Sequence, residues 1–312
     1  MSTGNVLPIK CKLPAEFLDA EMRSGYEVSA KLKRIWAIEI DLFLELSRVC
    51  EKHGIRFFVC AGTALGAIRH KGFIPWDDDM DVVMTRDDFS KLIEVAKDEF
   101  ADPYFLQTAL SDRKYFLGYA RLRNSKTTAL IKNFESGDYN NGIYIDIFVC
   151  DGQHNNKYER LKQSVLKWAT MKFCIAYHYE RGYVKGFKDI VYRMLGIVAR
   201  RCSYEKWVAL YARIVSMYND QKHDRIWAVA SAGCSDRGWM WKKEVENIIK
   251  VPFEWFYVPI PAEWHVILSR LYGEYMTPPP ADELGKWHES LVHFEPDVPY
   301  VEYLSKHGRV FK

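Results

Sequence analysis

The segment FIPWDDDMDVVM, residues 73–84, places four aspartates within five positions and then runs directly into an apolar stretch. Side chains alternate faces along an extended strand, so Asp77, Asp79 and Asp81 would share one face if the extended conformation begins at the first of them. Carboxylates held that close repel one another, and burying them beside a sheet is unfavourable unless a cation neutralises them. The segment therefore predicts a divalent metal site at the mouth of a buried strand.

A second predicted strand supplies another acid. The stretch GIYIDIFVC, residues 142–150, is apolar except for Asp146, which is unfavourable there without a cation. Oxygen ligands suit Mg²⁺, which prefers a few carboxylates, retained waters and substrate phosphates, with Mn²⁺ as an alternative. We expect Asp79, Asp81 and Asp146 to be the metal ligands and the chemistry to involve phosphate. The alternative is that the acids before the strand form a solvated turn, as clustered charges usually do.

The acids are preceded by a turn suited to phosphate. Gly62 ends the apolar stretch IRFFVCAG, and together with Thr63 it opens a short helix. A glycine there allows close backbone approach, and a helix N-terminus offers unpaired N–H groups. Arg69, His70 and Lys71 would add cations between this turn and the acids, and ordinary surface charge is the alternative. We expect these five residues to bind the donor substrate.

Hydrophobic patterns place these motifs in an α+β fold, a mixed β-sheet flanked by helices. Apolar positions at spacings of three and four predict a helix that ends at Gly54, a typical C-cap residue. Thr85 and Asp88 form a capping-box pattern that predicts a helix over residues 86–100. Further strands are predicted over residues 104–107, 118–123, 128–131 and 142–150.

Three regions are predicted along the chain. Residues 1–30 show little periodicity and are expected to form an N-terminal arm. Residues 31–156 form the predicted catalytic core, and residues 157–312 a mainly helical, aromatic-rich region that contacts the acceptor. A chain of 312 residues with 48% hydrophobic content can bury a sizeable core.

Composition indicates the cellular location of the protein and the kinds of partner it can bind. No apolar run reaches membrane length, and no basic segment precedes an apolar run at the start, so we expect a cytoplasmic protein. The seven cysteines are widely spaced, which predicts buried thiols. Residues 157–201 hold eleven Lys or Arg and three acids, a local charge of +8 in a chain whose formal total is +3. This region could contact an anionic membrane from its inner face, and a solvated helix face is the alternative. The small total charge argues against a nucleic-acid partner.

The longer segment GTALGAIRHKGFIPWDDDMDVVM closely resembles the signature of the LicD family of phosphocholine transferases, whose relatives include fukutin and fukutin-related protein. The stretch GIYIDIFVCDG is similar to the family's second acidic strand. The stretch LYGEYMTPPP, followed by Trp287 and His288, is similar to its C-terminal segment. The resemblance covers the first half of the chain and, more loosely, its last part.

This resemblance implies a nucleotidyltransferase-like fold, in which a Gly-Thr turn precedes an Asp-x-Asp strand and a third acid lies on a neighbouring strand. On this chain the turn would be Gly62 and Thr63, the metal pair Asp79 and Asp81, and the third acid Asp146. These are the positions that the residue patterns indicate independently.

The reaction implied by the resemblance transfers a phospho-alcohol, usually phosphocholine, from a CDP-linked donor and releases CMP. The acceptor would be a hydroxyl of a cell-surface glycan or glycolipid precursor, as in lipopolysaccharide or teichoic acid modification. Asp77 matches the family's acidic run and would be a supporting residue or the general base, a role that Asp146 could also fill. His288 would contact the donor phosphates. Two alternatives stay open: a nucleotidyltransferase that attaches a nucleotide to a small molecule or protein, and a catalytically inactive relative that binds glycan or lipid.

A transferred choline would need aromatic faces around its quaternary ammonium. Trp76 lies within the acidic motif and is expected to contact the donor, although core packing is the alternative for every aromatic residue. The other candidates are Trp239, Trp241, Trp255, Tyr272, Tyr275 and Trp287.

Overall fold

The computed structural model describes residues 7–132, 139–180, 186–220, 222–228, 238–280 and 292–307. Its helices are α1 (Ala30–His53), α2 (Ala61–Arg69), α3 (Arg86–Glu99), α4 (Lys157–Tyr177), α5 (Phe187–Ala199), α6 (Tyr204–Val215), α7 (Trp264–Tyr272) and α8 (Tyr300–His307). Its strands are β1 (Glu21–Arg23), β2 (Tyr26–Val28), β3 (Phe58–Val59), β4 (Asp81–Thr85), β5 (Tyr104–Gln107), β6 (Ala120–Asn124), β7 (Thr128–Ile131), β8 (Ile143–Gly152), β9 (Arg225–Trp227), β10 (Met240–Trp241), β11 (Ile248–Phe253), β12 (Phe256–Pro261) and β13 (Val292–Glu295).

The long helix α1 lies against the sheet, and both of its ends are specified by capping residues. The Ser29 side chain accepts a hydrogen bond from Leu32 N at the start. Gly54 takes the left-handed conformation at the end, with φ of 62°, which glycine adopts without strain. The apolar stripe of the helix is buried. The predicted helix and its C-cap are confirmed.

The strand β8 is the centre of the main sheet. It pairs with β4 in parallel and with β6 and β9 antiparallel, and the sheet continues through β3, β5 and β10. This mixed sheet with helices packed on it confirms the predicted α+β class. The region after residue 157 has more helix than strand, yet β9 extends β8 and β13 pairs with β7 of the first region. The predicted division after residue 156 coincides with the start of α4.

The main hydrophobic core lies between the sheet, α1 and the β11–β12 hairpin. Trp36 on α1 stacks on Phe73 with ring centroids 4.6 Å apart, and Phe253 of the hairpin packs edge-on against the Phe73 ring. Trp36 Nε1 also donates a 2.8 Å hydrogen bond to Asp77 O. Packing in this core therefore fixes the backbone of the acidic segment.

The N-terminal arm is held to the same helix. Asp41 on α1 accepts hydrogen bonds from Lys10 N at 2.8 Å, Cys11 N at 2.7 Å and Tyr104 OH at 2.8 Å. Each acceptor oxygen of this buried carboxylate is thus used, which is the condition for burying an acid without large cost.

Two strand boundaries differ from the sequence prediction. The strand β4 begins at Asp81, so Asp77 and Asp79 precede the strand instead of alternating along it. The strand predicted over residues 55–62 is reduced to the two residues of β3, because α2 already begins at Ala61. The predicted helix start after Thr85 is confirmed, since its side chain accepts a hydrogen bond from Asp88 N.

Candidate active site

The acids of β4 and β8 lie side by side in the sheet. Asp81 and Asp146 are register partners in the parallel β4–β8 pair, and each residue is only 9% exposed. Asp146 N also donates to Met80 O at 3.0 Å, one residue before β4. The structure therefore brings these two carboxylates together from adjacent strands, as the sequence pattern indicates.

The N-terminus of α2 holds the start of β4. Cys60 N donates to Asp81 O at 3.1 Å, and the buried Thr63 hydroxyl accepts from Asp81 N at 2.7 Å. The chain reverses at Ala61, whose φ of 46° is unfavourable for a residue with a Cβ and is sustained by these surrounding contacts. Gly62 and Thr63 lie in the first turn of α2, so the predicted turn that opens this helix is the first turn of the helix itself.

Gly62 allows Asp77 to lie over this first turn. A Cβ at Gly62 would come within 2.8 Å of Asp77 Oδ2, closer than side-chain carbons approach other atoms. Asp77 is itself buried, and its N donates to Ile74 O at 2.9 Å. The structure thus gathers Asp77, Asp81, Gly62 and Thr63 around the start of α2.

The charges of this cluster also affect the pKa values of two further acids, Asp79 and Glu39. Burial, followed by the charges of Asp77 and Asp81, raises the pKa of Asp79 well above its ordinary value. Glu39 on α1 is also buried, and burial followed by the charge of Asp79 raises its pKa as well. Within the described residues, Glu39 Oε2 has no hydrogen-bond partner. Such crowding of carboxyl groups favours a bound proton or cation.

Arg121 on β6 provides a cation for Asp146. The Arg121 Nε lies 2.5 Å from Asp146 Oδ1, and the two residues are register partners in the β6–β8 pair. Burial alone would lower the pKa of Arg121, but the Asp146 carboxylate raises it and the net shift is upward. The cation that the sequence pattern requires beside Asp146 is thus the Arg121 guanidinium in this structure, and the role of Asp146 as a metal ligand stays a prediction.

One nitrogen of the Arg121 guanidinium lacks a hydrogen-bond acceptor among the described residues. This atom, Nη1, is buried. Tyr144 packs against the guanidinium, with Cζ 3.7 Å from the ring centroid, and Tyr119 OH lies 3.4 Å from Nη2. A buried N–H without an acceptor is unfavourable, so this atom favours an anionic oxygen supplied by a ligand.

An apolar cavity of about 390 Å³ adjoins the acids. It reaches from β3 and the start of α2 to β8, β9 and α7, and Asp81 is the one carboxylate among its described lining residues. Burial, followed by the charge of Asp81, raises the pKa of the Tyr272 phenol, so this ring lies near the cluster. The aromatic lining residues include Tyr119, Phe148, Trp227, Trp264 and Tyr272.

A comparison with known families matches the segment of the chain that holds most of this site. Residues 54–179 match the family model described as LicD/FKTN/FKRP, nucleotidyltransferase domain. The chain carries a LicD-family domain. The matched segment contains α2, the acidic run, Arg121 and all of β8, and thus the acid cluster described above apart from Glu39.

Individual relatives extend this match. The chain is similar to the lipopolysaccharide cholinephosphotransferase LicD of Haemophilus influenzae, with 26% identity over 251 residues, which cover 77% of this chain and 89% of that protein. It is also similar to an uncharacterized protein of Rickettsia prowazekii, with 31% identity over 136 residues, which cover 43% of this chain and 46% of that protein.

A magnesium ion held at this site would need substrate phosphates as ligands in addition to carboxylates. No three His, Cys, Asp or Glu side chains of the described residues converge as a ready metal-binding group. Asp146 is engaged by Arg121, and Asp79 and Asp81 are the remaining candidate ligands on the acidic segment. Mg²⁺ commonly takes one or two carboxylates, with waters and phosphate oxygens completing its shell. The excess of carboxyl groups around Asp79 matches that requirement.

The basic residues of the LicD-like signature make separate contacts. Arg69 donates to Tyr275 O at 2.9 Å and to His70 Nε2 at 2.9 Å. Burial, followed by the charge of Arg69, lowers the pKa of His70 to about 4, so the imidazole is neutral at neutral pH. The expectation that His70 adds a cation is therefore wrong. Lys71 is exposed, and its carbonyl accepts from Glu254 N. Donor binding by these basic residues stays a prediction.

The remaining predicted residues lie elsewhere. Trp76 is half-buried and packs edge-on against Tyr26 and His70, with centroids 6.0 and 5.9 Å away. It lines a second cavity of about 340 Å³ together with Asp78. Of the aromatic residues named as choline candidates, Tyr272 alone is found among the described lining residues of the cavity beside Asp81. His288 and Trp287 lie outside the described residues.

The low pKa of His70 makes a prediction about stability. The unfolded chain binds a proton at this residue below a pH of about 6.5, whereas the folded chain does so only near pH 4, so folding is weakened as the pH falls through this window. We expect a His70→Gln variant to lose about 1 kcal/mol less unfolding free energy than wild type between pH 7 and pH 5, allowing for screening of a half-buried ring. Urea unfolding at the two pH values measures this, and parallel losses in both proteins would contradict it.

Motif patterns do not identify Arg121 or Glu39, yet both leave a signal in the sequence. Arg121 and Arg123 alternate along the predicted strand GYARLR, so both would face the same side of a buried sheet and would need partners there. Glu39 lies on the apolar stripe of α1, four residues after Ile35 and three before Leu42. A charged residue on a buried stripe indicates either a paired charge or a functional group.

Proposed function

We propose that this chain transfers phosphocholine, or a related phospho-alcohol, from a CDP-linked donor to a hydroxyl of a glycan or lipid-linked glycan, with release of CMP. The observation that carries this proposal is the alignment of Asp81 with Asp146 beside the start of α2, next to Arg121 and an aromatic cavity. A transferase of this class is supported by the LicD-family domain and by similarity, over 77% of this chain, to a lipopolysaccharide cholinephosphotransferase.

The donor diphosphate would bind between the acids and α2. Asp79 and Asp81, with Asp146 beside them, would hold a magnesium ion, which when bound neutralises negative charge on the diphosphate and on the CMP leaving group. Arg121 Nη1 would donate to a phosphate oxygen, which gives this buried N–H the acceptor it lacks among the described residues. The first turn of α2 adds backbone N–H groups and the positive end of the helix dipole.

The acceptor hydroxyl needs a base, and we assign this role to Asp77. Both oxygens of Asp146 lie within hydrogen-bonding distance of the Arg121 guanidinium, which makes that carboxylate a weaker proton acceptor. Asp77 lies over Gly62 in the first turn of α2, beside the proposed phosphate site, where it could accept the proton of the acceptor hydroxyl.

The alcohol head group would enter the cavity beside Asp81. A quaternary ammonium cannot donate hydrogen bonds and is held by aromatic faces, each contributing about 0.5–2 kcal/mol. The cavity offers several aromatic side chains and the carboxylate of Asp81, and it opens directly next to the proposed phosphate site. These features favour choline over an uncharged polyol.

Product analysis tests the proposal. The protein is incubated with Mg²⁺, a lipopolysaccharide preparation and either CDP-choline or CTP, and the products are identified by mass. Phosphocholine transfer releases CMP from CDP-choline and adds phosphocholine to the glycan. Release of diphosphate from CTP, with nucleotide added to the acceptor, would instead establish a nucleotidyltransferase and contradict the proposal.

Replacing the Tyr272 ring in the cavity lining should weaken the binding of CDP-choline but not that of CDP-glycerol. Tyr272 is 42% exposed, so Tyr272→Leu is tolerated by the fold, and loss of one aromatic face should weaken CDP-choline binding by about 1 kcal/mol, roughly fivefold in Kd. Binding of CDP-glycerol, which carries no cation, should be unchanged. Isothermal titration of both nucleotides measures this.

The matched control for this variant is Tyr257→Leu, because Tyr257 is 63% exposed on β12 and is not among the described lining residues. Equal losses for both nucleotides would show that Tyr272 does not contact the head group.

A further inference from the structure

Two helices outside the active site expose apolar side chains that soluble monomers rarely show in one patch. Eleven large hydrophobic side chains of α4 and α5 are exposed, five on α4 and six on α5. The exposed fraction reaches 78% for Phe187, 69% for Tyr158 and 61% for Met194. Trp168 and Ile190 are more than half exposed as well. We call this surface the α4–α5 face.

The exposed residues follow the helical period. On α5 they occupy positions 187, 190, 191, 194, 197 and 198, and on α4 positions 158, 161, 165 and 168 recur at spacings of three and four. Each set is therefore one stripe of its helix. The stripes lie on two helices in direct contact, since a Cβ at Gly196 of α5 would lie 2.7 Å from Ala176 O of α4.

The other side of α4 makes the internal contacts. Gln163 is buried and its Nε2 donates to Val215 O of α6 at 3.0 Å. Cys174 is buried in a small core with Tyr204 and Tyr211 of the same helix α6. The helix α4 is thus already packed on one side, and the α4–α5 face is an additional apolar surface.

Basic residues outnumber acids around this face. Lys157, Lys162, Lys188, Arg193 and Arg201 are all exposed on α4, on α5 and just after it. The three acids between residues 157 and 201 leave a net positive charge. Glu159 accepts from Tyr218 OH and pairs with Lys162. Asp189 accepts from Tyr179 OH and pairs with Arg193, and Glu180 pairs with Lys114. A face that combines aromatic and aliphatic side chains with basic ones is typical of helices that lie in a lipid interface.

We propose that the α4–α5 face docks the protein onto an anionic lipid surface, with its apolar stripes in the acyl boundary and its basic residues at the headgroups. Among the described helices, none has the length and apolarity to cross a bilayer, so the contact is interfacial. The excess of basic residues on these helices favours binding to anionic lipid headgroups. The proposal rests on exposure and charge alone and does not depend on the transferase assignment.

Vesicle sedimentation of the full chain tests this docking. The probes are vesicles of phosphatidylcholine alone or with about one-third phosphatidylglycerol. We expect wild type to bind the anionic vesicles and to bind neutral ones roughly tenfold more weakly or worse. A Phe187→Ser, Ile190→Ser, Met194→Ser variant should lose at least about tenfold in partition coefficient. A Lys188→Gln, Arg193→Gln, Arg201→Gln variant should lose the preference for anionic vesicles.

The matched control changes three equally exposed apolar residues elsewhere: Met22→Ser, Tyr257→Ser and Val301→Ser, which are 67%, 63% and 63% exposed. It should bind like wild type, and circular dichroism should be the same for all variants. Failure of wild type to bind either vesicle overturns the proposal, as does equal binding by the apolar variant and its control.

Sedimentation velocity without lipid is the second measurement. A wild-type dimer that the apolar variant abolishes, with no vesicle binding, would overturn lipid docking and assign the face to a second copy of the chain.

Discussion

An Asp81→Asn variant should fold normally and lose turnover by about 10³-fold, the scale of losing a metal-centred stabilisation of phosphate charge. Two hydrogen bonds of the Asp81 backbone, to Cys60 and Thr63, survive the substitution. Only the carboxylate charge next to Asp146 is removed. The measurement is the initial rate of CMP release from CDP-choline, with thermal unfolding as the check on folding.

Asp78→Asn is the matched control for this prediction. Asp78 belongs to the same acidic run but lines the second cavity beside Trp76, so its loss should change turnover by less than about tenfold. Wild-type turnover in a folded Asp81→Asn variant would show that the paired acids do not carry the reaction.

An Arg121→Met variant should lose a large part of the unfolding free energy of the protein. The substitution leaves the Asp146 carboxylate buried without the cation that lies 2.5 Å away in the structure. Breaking a buried ion pair from one side typically costs about 3–5 kcal/mol. Urea unfolding at neutral pH measures the loss in unfolding free energy.

Two further variants isolate the cause. Adding Asp146→Leu to Arg121→Met removes the stranded charge, so the double variant should regain more than half of the lost stability, although it should be inactive. Arg48→Met is the control for loss of an arginine: Arg48 is paired with Glu45 and Glu99 at the surface, and its loss should cost no more than about 1 kcal/mol. A double variant as unstable as Arg121→Met alone would indicate that packing of the guanidinium against Tyr144, and not charge, stabilises this region.

The parts of the fold that the sequence predicts well are those set by local rules. The helix α1 with its Gly54 cap, the start of α3 after Thr85, and the strands β5 and β7 depend on periodicity and capping within a short window. The juxtaposition of Asp81 with Asp146 is predictable for a different reason, since two isolated acids in apolar strands would each be unfavourable alone.

The features that the sequence does not predict depend on residues far apart in the chain. The neutral state of His70 results from burial near Arg69 and Arg23, which its neighbours in sequence do not fully specify. The pairing of Arg121 with Asp146 depends on which strand lies beside β8 and in which register. The cavity draws its lining from β3, α2, β8, β9 and α7, so no single motif marks it.

The start of β4 shows how tertiary contacts override a periodic pattern. Alternation predicts that Asp77, Asp79 and Asp81 share a strand face, but the Trp36 indole binds Asp77 O, and the segment before Asp81 stays outside the ladder. Asp77 still lies close to the other acids, because the absence of a Cβ at Gly62 allows its carboxylate to pack against the first turn of α2.

Calorimetric titration of CDP-choline into the wild-type protein, with and without Mg²⁺, tests most directly whether the aspartate cluster binds a diphosphate donor through a cation. We predict measurable binding with Mg²⁺, at least about tenfold weaker binding after chelation, and no effect of Mg²⁺ in the Asp81→Asn variant. Equal affinity with and without the metal, or a metal effect that persists when Asp81 is replaced, would contradict it.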